Sequence, residues 1–368
     1  MFGANAVEVW DLNPIEKLSI SSKLYEGTID FSGTLPPNYA KNTDKRYVVL
    51  FDFHTRAQPM LTGMHDWMSH NGEWPWLETI VVTPATYSKL LGPVYEDGAQ
   101  LLDFFEHDLL KALDKNYRTN GFRIYSGFTG NGSAGLYTLL NRPSLFNAYI
   151  IASPVLADDH RGLMSSAEQK LKKLTDKPRY LFMSNGTSRY EQPHQDSFTE
   201  LKKILQTTAP KQLTWQTKAF EGTTYMSQPV LAVVHAIEAI FSDIHNTLAA
   251  DSVISRQGAQ AILKHYRYLS EQKFGFEVSA EDALTALGKS LMKDNPKKAL
   301  TVFKISVDTY PESAWAIHAL ADAYAQLKQF DKALDYQKQA REKANSMGGW
   351  HQNKHQQFLE EYQAALKG

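Results

Sequence analysis

Between residues 123 and 143 the chain reads RIYSGFTGNGSAGLYTLLNRP, with a hydroxyl side chain, Thr129, at the centre of a glycine-bracketed turn. A hydroxyl in that setting suits acyl-transfer chemistry. In a nucleophile elbow, glycine-x-serine-x-glycine, the middle residue sits at the tip of a strained strand-to-helix turn, and the glycines let the backbone fold that tightly. Here Gly127-Phe128-Thr129-Gly130-Asn131 keeps the first glycine, but Thr129 replaces the serine and Asn131 the last glycine. A β-branched residue is a poor choice where φ must be positive, because its second Cβ substituent adds to the clash that disfavours that region. Either the turn is relaxed or Thr129 is held under strain.

The elements needed to position such a turn are legible on both sides. Phe122-Arg123-Ile124-Tyr125 is a short β-rich run, and Gly135-Leu136-Tyr137-Thr138-Leu139-Leu140 is apolar enough for a buried helix. Downstream, Asn141-Arg142-Pro143-Ser144-Leu145-Phe146 fits the ending N-R-P-x-L-F at ungapped spacing from the turn. Leu35-Pro36-Pro37-Asn38-Tyr39 fits L-P-P-G-Y, Tyr47-Val48-Val49-Leu50-Phe51-Asp52 fits Y-P-V-L-Y-x-L-D, Asn116-Tyr117-Arg118-Thr119 fits N-Y-R-T, and Ala152-Ser153-Pro154 fits I-S-P. With these motifs the chain resembles the enterochelin-esterase-like family of α/β hydrolases over roughly its first two-thirds. The resemblance implies an α/β fold, an α/β-hydrolase sheet with flanking helices, over residues 1–250.

The resemblance also implies where a catalytic relay would lie. The family's serine falls on Thr129. Its histidine loop, G-E-T-H-G-S, falls on Glu221-Gly222-Thr223-Thr224-Tyr225-Met226-Ser227, which puts Tyr225 at the base position. A phenol of pKa about 10 carries almost no base form at neutral pH, whereas an imidazole near 6.5 can take and return a proton. The oxyanion donors would be the N–H groups of Gly130 and Phe53, and the Phe53 ring would fill space that a substrate carbonyl uses. The acid member is expected after the strand Tyr180-Leu181-Phe182-Met183, with Glu191 and Asp196 as candidates. A conventional relay cannot be assembled from the aligned positions.

Other residues bear on the same question. Ser133, four residues past Thr129, is a displaced nucleophile or a small residue for close helix packing. His235 lies in the apolar run Val230 to Phe241 and reads as a partly buried histidine. His54 follows the oxyanion strand and is a binding candidate among the twelve histidines. Trp74 and Trp76 either line a ligand site or cover the sheet edge.

Composition narrows the partners. The 368 residues carry a net charge of −1, 43% hydrophobic residues and no cysteine. This describes a soluble globular chain long enough for two domains, with no basic field for nucleic acid, no membrane span, no disulfide framework and no thiolate metal site. No cofactor is expected. Ala4-Asn5-Ala6 resembles the end of a secretory signal, so an exported, periplasmic location is expected ahead of a cytoplasmic one.

A second pattern begins near residue 279. Asn295-Pro296-Lys297-Lys298-Ala299-Leu300 and Gln329-Phe330-Asp331-Lys332-Ala333-Leu334 are equivalent, and Ala299 and Ala333 stand 34 residues apart, the tetratricopeptide period. Residues 279–368 are thus expected to form an all-α, tetratricopeptide-like helical domain, with a capping helix from Gln352 to Leu366, preceded by a connecting helix at 251–278, with Ser252 to Gln272 docking the repeats to the hydrolase-like domain. Such repeats bind a protein partner, mediate a homodimer or only pack. Two functions follow. One is a pseudoenzyme that binds a small-molecule or ester-like ligand, or acts as an interaction module. The other is an active carboxylic-ester hydrolase using Thr129 or Ser133 with a histidine outside the aligned position.

Overall fold

The computed structural model describes residues 15–367 apart from 23, 25, 26, 38, 70–74, 87–90 and 175. Ala4-Asn5-Ala6, Asn38 and Trp74 therefore lie outside the described residues. The chain divides into two compact units, residues 1–245 with 272–276, and residues 246–271 with 277–368.

The first unit is built on one sheet of eight strands in the order β1-β2-β4-β3-β5-β6-β7-β8. These are β1 (Ile15–Ser21), β2 (Thr28–Thr34), β3 (Tyr47–Asp52), β4 (Thr79–Pro84), β5 (Thr119–Phe128), β6 (Ala148–Ala152), β7 (Arg179–Gly186) and β8 (Leu213–Phe220). The β1–β2 and β2–β4 pairs are antiparallel, and all pairs from β4 through β8 are parallel. Strands β3, β4 and β6 are buried at every position. Their Val, Ile and Tyr-rich runs lack alternation because both faces are covered.

Helices follow the strands as parallel crossovers require. Helix α1 (Ala57–Ser69) joins β3 to β4; α2 (Leu91–Glu96), α3 (Gly98–Asp103) and α4 (Leu110–Asn116) lie between β4 and β5. Helix α5 (Gly130–Asn141) leads to β6, α6 (Leu163–Leu171) to β7, α7 (Gln195–Thr208) to β8, and α8 (Gln228–Ile240) and α9 (Ser242–His245) follow β8. An aromatic core of Phe31, Phe51, Phe104, Phe105, Tyr125 and Phe146 fills one side. Strand β5 is longer than the run Phe122–Tyr125, because Ser126 and Gly127 stay in register with β6 up to Phe128↔Ala152.

The second unit is helical: α10 (Ala259–Tyr268), α11 (Glu281–Met292), α12 (Pro296–Thr309), α13 (Ala314–Gln326), α14 (Phe330–Lys343) and α15 (Gly349–Lys367). From α11 onward each helix packs on the next. Ala299, Ala319, Ala323 and Ala333 are buried among Phe303, Leu320 and Tyr324. Gly288 fits this scheme, since a Cβ there would stand 2.6 Å from the Phe303 ring. The stretch Ser252–Gln272 is not one helix. Gly258, at φ 102°, ends a 3₁₀ turn before α10, and a π-helical turn Leu269–Phe274 follows. Among the described residues no helix is long and apolar enough to cross a membrane.

The architecture is therefore the expected one, an α/β sheet flanked by helices and followed by a helical region. Strands β4 and β5 lie on opposite sides of β3, so the chain reverses its winding direction there. In such sheets the crevice beyond the carboxyl ends of the strands at the reversal is where ligands bind. Here that crevice lies between the end of β3 (Asp52, Phe53, His54) and the end of β5 (Phe128, Thr129).

Candidate functional site

At the end of β5 the backbone turns sharply, and Thr129 takes φ 56° and ψ −122°. The turn is strained, not relaxed. The neighbours hold it there: the Thr129 N–H donates to the Ala152 carbonyl at 3.0 Å, and the Ser133 N–H to the Thr129 carbonyl at 3.0 Å. Gly127 is required on packing grounds, because a Cβ there would meet the Asn131 carbonyl oxygen at 2.5 Å. The Tyr125 hydroxyl donates to the same oxygen at 2.7 Å and ties the first turn of α5 to β5. The Thr129 hydroxyl caps no N–H of α5. Among the described residues no histidine hydrogen-bonds it.

Tyr225 opens a short 3₁₀ turn after β8. Its ring packs on Phe128 at 4.7 Å between centroids and on Tyr190 at 5.1 Å. Burial, then the charge of Glu191, push its hydroxyl above the usual phenol range, further from base behaviour. A wall of three aromatic rings thus stands beside Thr129.

Of the two acid candidates, Glu191 lies at the end of β7 and is 2% exposed. Its carboxylate accepts from the Ser153 hydroxyl and from the N–H groups of Gly186 and Ser188. These three donors, two on Oε1 and one on Oε2, hold the carboxylate in place in the loop after β7. Asp196 is exposed in the first turn of α7.

Gly130 is the first residue of α5, with its N–H at the helix's positive end. Phe53 is 6% exposed, edge-on to Phe51 at 4.8 Å and to Tyr95 at 5.5 Å. Its ring fills the space at the end of β3. Asp52 beneath it is buried and accepts from the His54 N–H and the Ser126 hydroxyl, both at 2.8 Å. Burial pushes its carboxyl up to about 6. His54 Nδ1 accepts from the Arg56 N–H at 3.2 Å, so this nitrogen is not available to take a proton from Thr129. Burial and then Arg56 hold His54 below the ordinary imidazole pKa.

The remaining residues lie elsewhere. Ser133 is fully buried and donates to the Val155 carbonyl at 2.7 Å, which fits a packing role and not a displaced nucleophile. His235 stacks on Phe220 at 5.4 Å, with Nε2 3.0 Å from Lys218 Nζ. Of the two readings of Trp76, ligand lining or covering the sheet, its burial fits the second. It is 1% exposed, donates to the Thr79 hydroxyl at 3.2 Å and stands edge-on to His65, so no ligand reaches it.

Sequence reading missed the loop after β6. Ser153, Asp158, Asp159 and Arg161 all have positive φ, between 43° and 57°, and Gly162 follows at 63°. The run Asp158-Asp159-His160-Arg161-Gly162 carried a signal, since Asp and Gly tolerate left-handed backbone best. Tyr95, Ser153 and Tyr190 had none, because only folding brings them to the elbow.

No protein-family model matches the chain, and no curated protein matches it in sequence. The fold recurs among solved structures. The chain is similar to an IroE-like serine hydrolase from Shewanella oneidensis, at 19% identity and TM-score 0.60, over 80% of this chain and 100% of that one. It is also similar to an uncharacterised protein from Capnocytophaga ochracea, at 12% identity and TM-score 0.68, over 95% of this chain and 100% of that one. A siderophore hydrolase, EstA, from Aspergillus nidulans matches at 14% identity and TM-score 0.52, over 67% and 99%. These likenesses are of fold, and the fold is the α/β-hydrolase fold.

Proposed function

We propose that this chain is a pseudoenzyme of the esterase-like α/β-hydrolase fold, in which the cleft at the end of β3 and β5 binds a ligand without hydrolysing it. The observation that carries this reading is Tyr225, a phenol packed between Phe128 and Tyr190 where a base would stand. The Phe53 ring at the oxyanion loop supports it. Two solved neighbours are named as a serine hydrolase and a siderophore hydrolase. An ester-like or acid ligand is the corresponding reading here.

The test is turnover of short-chain nitrophenyl esters together with labelling by a fluorophosphonate probe. The expected result is neither turnover nor labelling above a Thr129→Ala control. Turnover and labelling that both vanish in that control would replace the reading with the second one, hydrolysis by Thr129. One observation favours that alternative: the elbow keeps a strained φ of 56° that a binding module does not need.

For the helical unit the proposal is a pair of tetratricopeptide-like repeats capped by α15, serving packing or self-association ahead of a free peptide groove. Its support is the 34-residue offset of Ala299 and Ala333, both fully buried.

A further inference from the structure

The loop after β6 sets the Arg161 guanidinium against Tyr95. Arg161 donates through Nη2 to the Tyr95 carbonyl at 2.8 Å, and its guanidinium lies 4.8 Å from the centre of the Tyr95 ring. Its Nε is shielded from solvent and has no acceptor. Among the described residues Arg161 forms no ion pair, since Asp159 is turned to the first N–H groups of α6, and Asp52 is taken up by His54 and Ser126. Glu96, the remaining carboxylate acting on this cluster, is exposed. A partly buried guanidinium without a counter-charge is costly, and a planar carboxylate is the partner its fork fits.

The position is tied to the elbow through one residue. A Cβ on Gly130 would stand 3.4 Å from the Tyr95 hydroxyl, so the residue that holds Arg161 also lies against the start of α5. The charge of Arg161 reaches the Tyr125 hydroxyl, which is bonded to the Asn131 carbonyl in that same first turn. The guanidinium is delivered by strained backbone at Asp158, Asp159 and Arg161, and strain of that kind gathers at ligand clamps.

We propose that Arg161, with the Tyr95 hydroxyl and the Gly130 N–H, forms a carboxylate subsite, so that the cleft takes a small organic acid in preference to its neutral ester. This rests on the binding reading given above and names the ligand class for the same cleft. In a working hydrolase such a subsite would retain the acid product, whereas a binding protein has no product to release.

The experiment is equilibrium binding to the full chain of phenylacetate and of phenylacetamide, which share a shape and differ in charge, by titration calorimetry in physiological salt. Wild type is expected to bind the acid about tenfold more tightly than the amide, a difference of about 1.4 kcal/mol. Arg161→Leu is expected to abolish the preference by weakening acid binding about tenfold more than amide binding. Should that variant fail to fold, Arg161→Gln decides, since it keeps length and a donor but loses the charge. Equal binding of the two probes by wild type, or a preference that survives in both variants, overturns the subsite and leaves the cleft as a binding site. Binding of neither probe by any form overturns the subsite and the binding reading together.

Discussion

The ring of Tyr225 rests on that of Phe128, 4.7 Å between centroids, and Phe128 is the residue just before the apex of the elbow. Tyr225 is thus brought against the residue that precedes the apex, although the two loops come from β8 and β5. The charge of Glu191 also reaches the Tyr225 hydroxyl.

This proximity makes restoration a sharp test. The double variant Thr129→Ser with Tyr225→His brings an activatable hydroxyl and an imidazole together beside a carboxylate. Its turnover of nitrophenyl acetate is expected to exceed that of either single variant by at least about tenfold, because a base contributes only when it has a nucleophile to activate. Equal rates for all three would mean that Phe53 no longer lets an ester carbonyl reach the elbow.

Thr129 bears its backbone strain with a β-branched side chain at φ 56°. Thr129→Gly is expected to raise the unfolding free energy by about 1 kcal/mol, the relief of strain outweighing the entropy glycine adds to the unfolded chain. Thr129→Ala, which keeps a Cβ, is expected to gain less. Urea unfolding of the three proteins checks the ranking, and a lower midpoint for the glycine variant contradicts it.

Asp52 supplies a pH dependence. Burial holds its folded carboxyl near 6, against 3.8 for an unperturbed aspartate, so between those values the folded protein binds more protons than the unfolded chain. The contribution of this group is then most favourable below about pH 4 and is lost as pH rises through 6. Relative to wild type, Asp52→Asn is expected to gain on the order of 2–3 kcal/mol between pH 4 and pH 7. Denaturant titrations at both pH values measure this, and parallel profiles for the two proteins would rule it out.

Glu191 reads as structural. Glu191→Ala strands the donors of Ser153, Gly186 and Ser188 in a buried setting, and a loss of about 3 kcal/mol is expected. Glu191→Gln keeps acceptor capacity and is expected to lose less. Thermal unfolding of the pair distinguishes this from an exposed carboxylate, for which neither change would matter.

Much of the fold was legible because the signals were local. The run Tyr47–Asp52 has the continuous apolar character of a strand covered on both faces, and Gly127-Phe128-Thr129-Gly130 announced the turn before α5. The same held for Ala299 and Ala333, whose spacing reflects helices stacked at a constant interval. For the candidate site the sequence offered Thr129 and Tyr225 by alignment and Glu191 or Asp196 without a choice between them; of those two acids, only Glu191 is buried. Trp76 stayed ambiguous because an aromatic ring near a cleft looks the same in sequence whether it faces a ligand or, as here, His65. Arg161 and Tyr95 escaped notice because their closeness is set by a loop whose left-handed backbone carries no periodic pattern.

The strain at Thr129 has one more implication. The pull of the Ala152 carbonyl on the Thr129 N–H, and the close seat of Asn131 over Gly127, are properties of the junction where α5 leaves the sheet, whatever side chain stands at its apex. Relaxing the apex alone would unseat α5 from β5 and β6. Like a keystone, the bent elbow is a condition for seating α5 on the sheet, independent of which side chain stands at its apex.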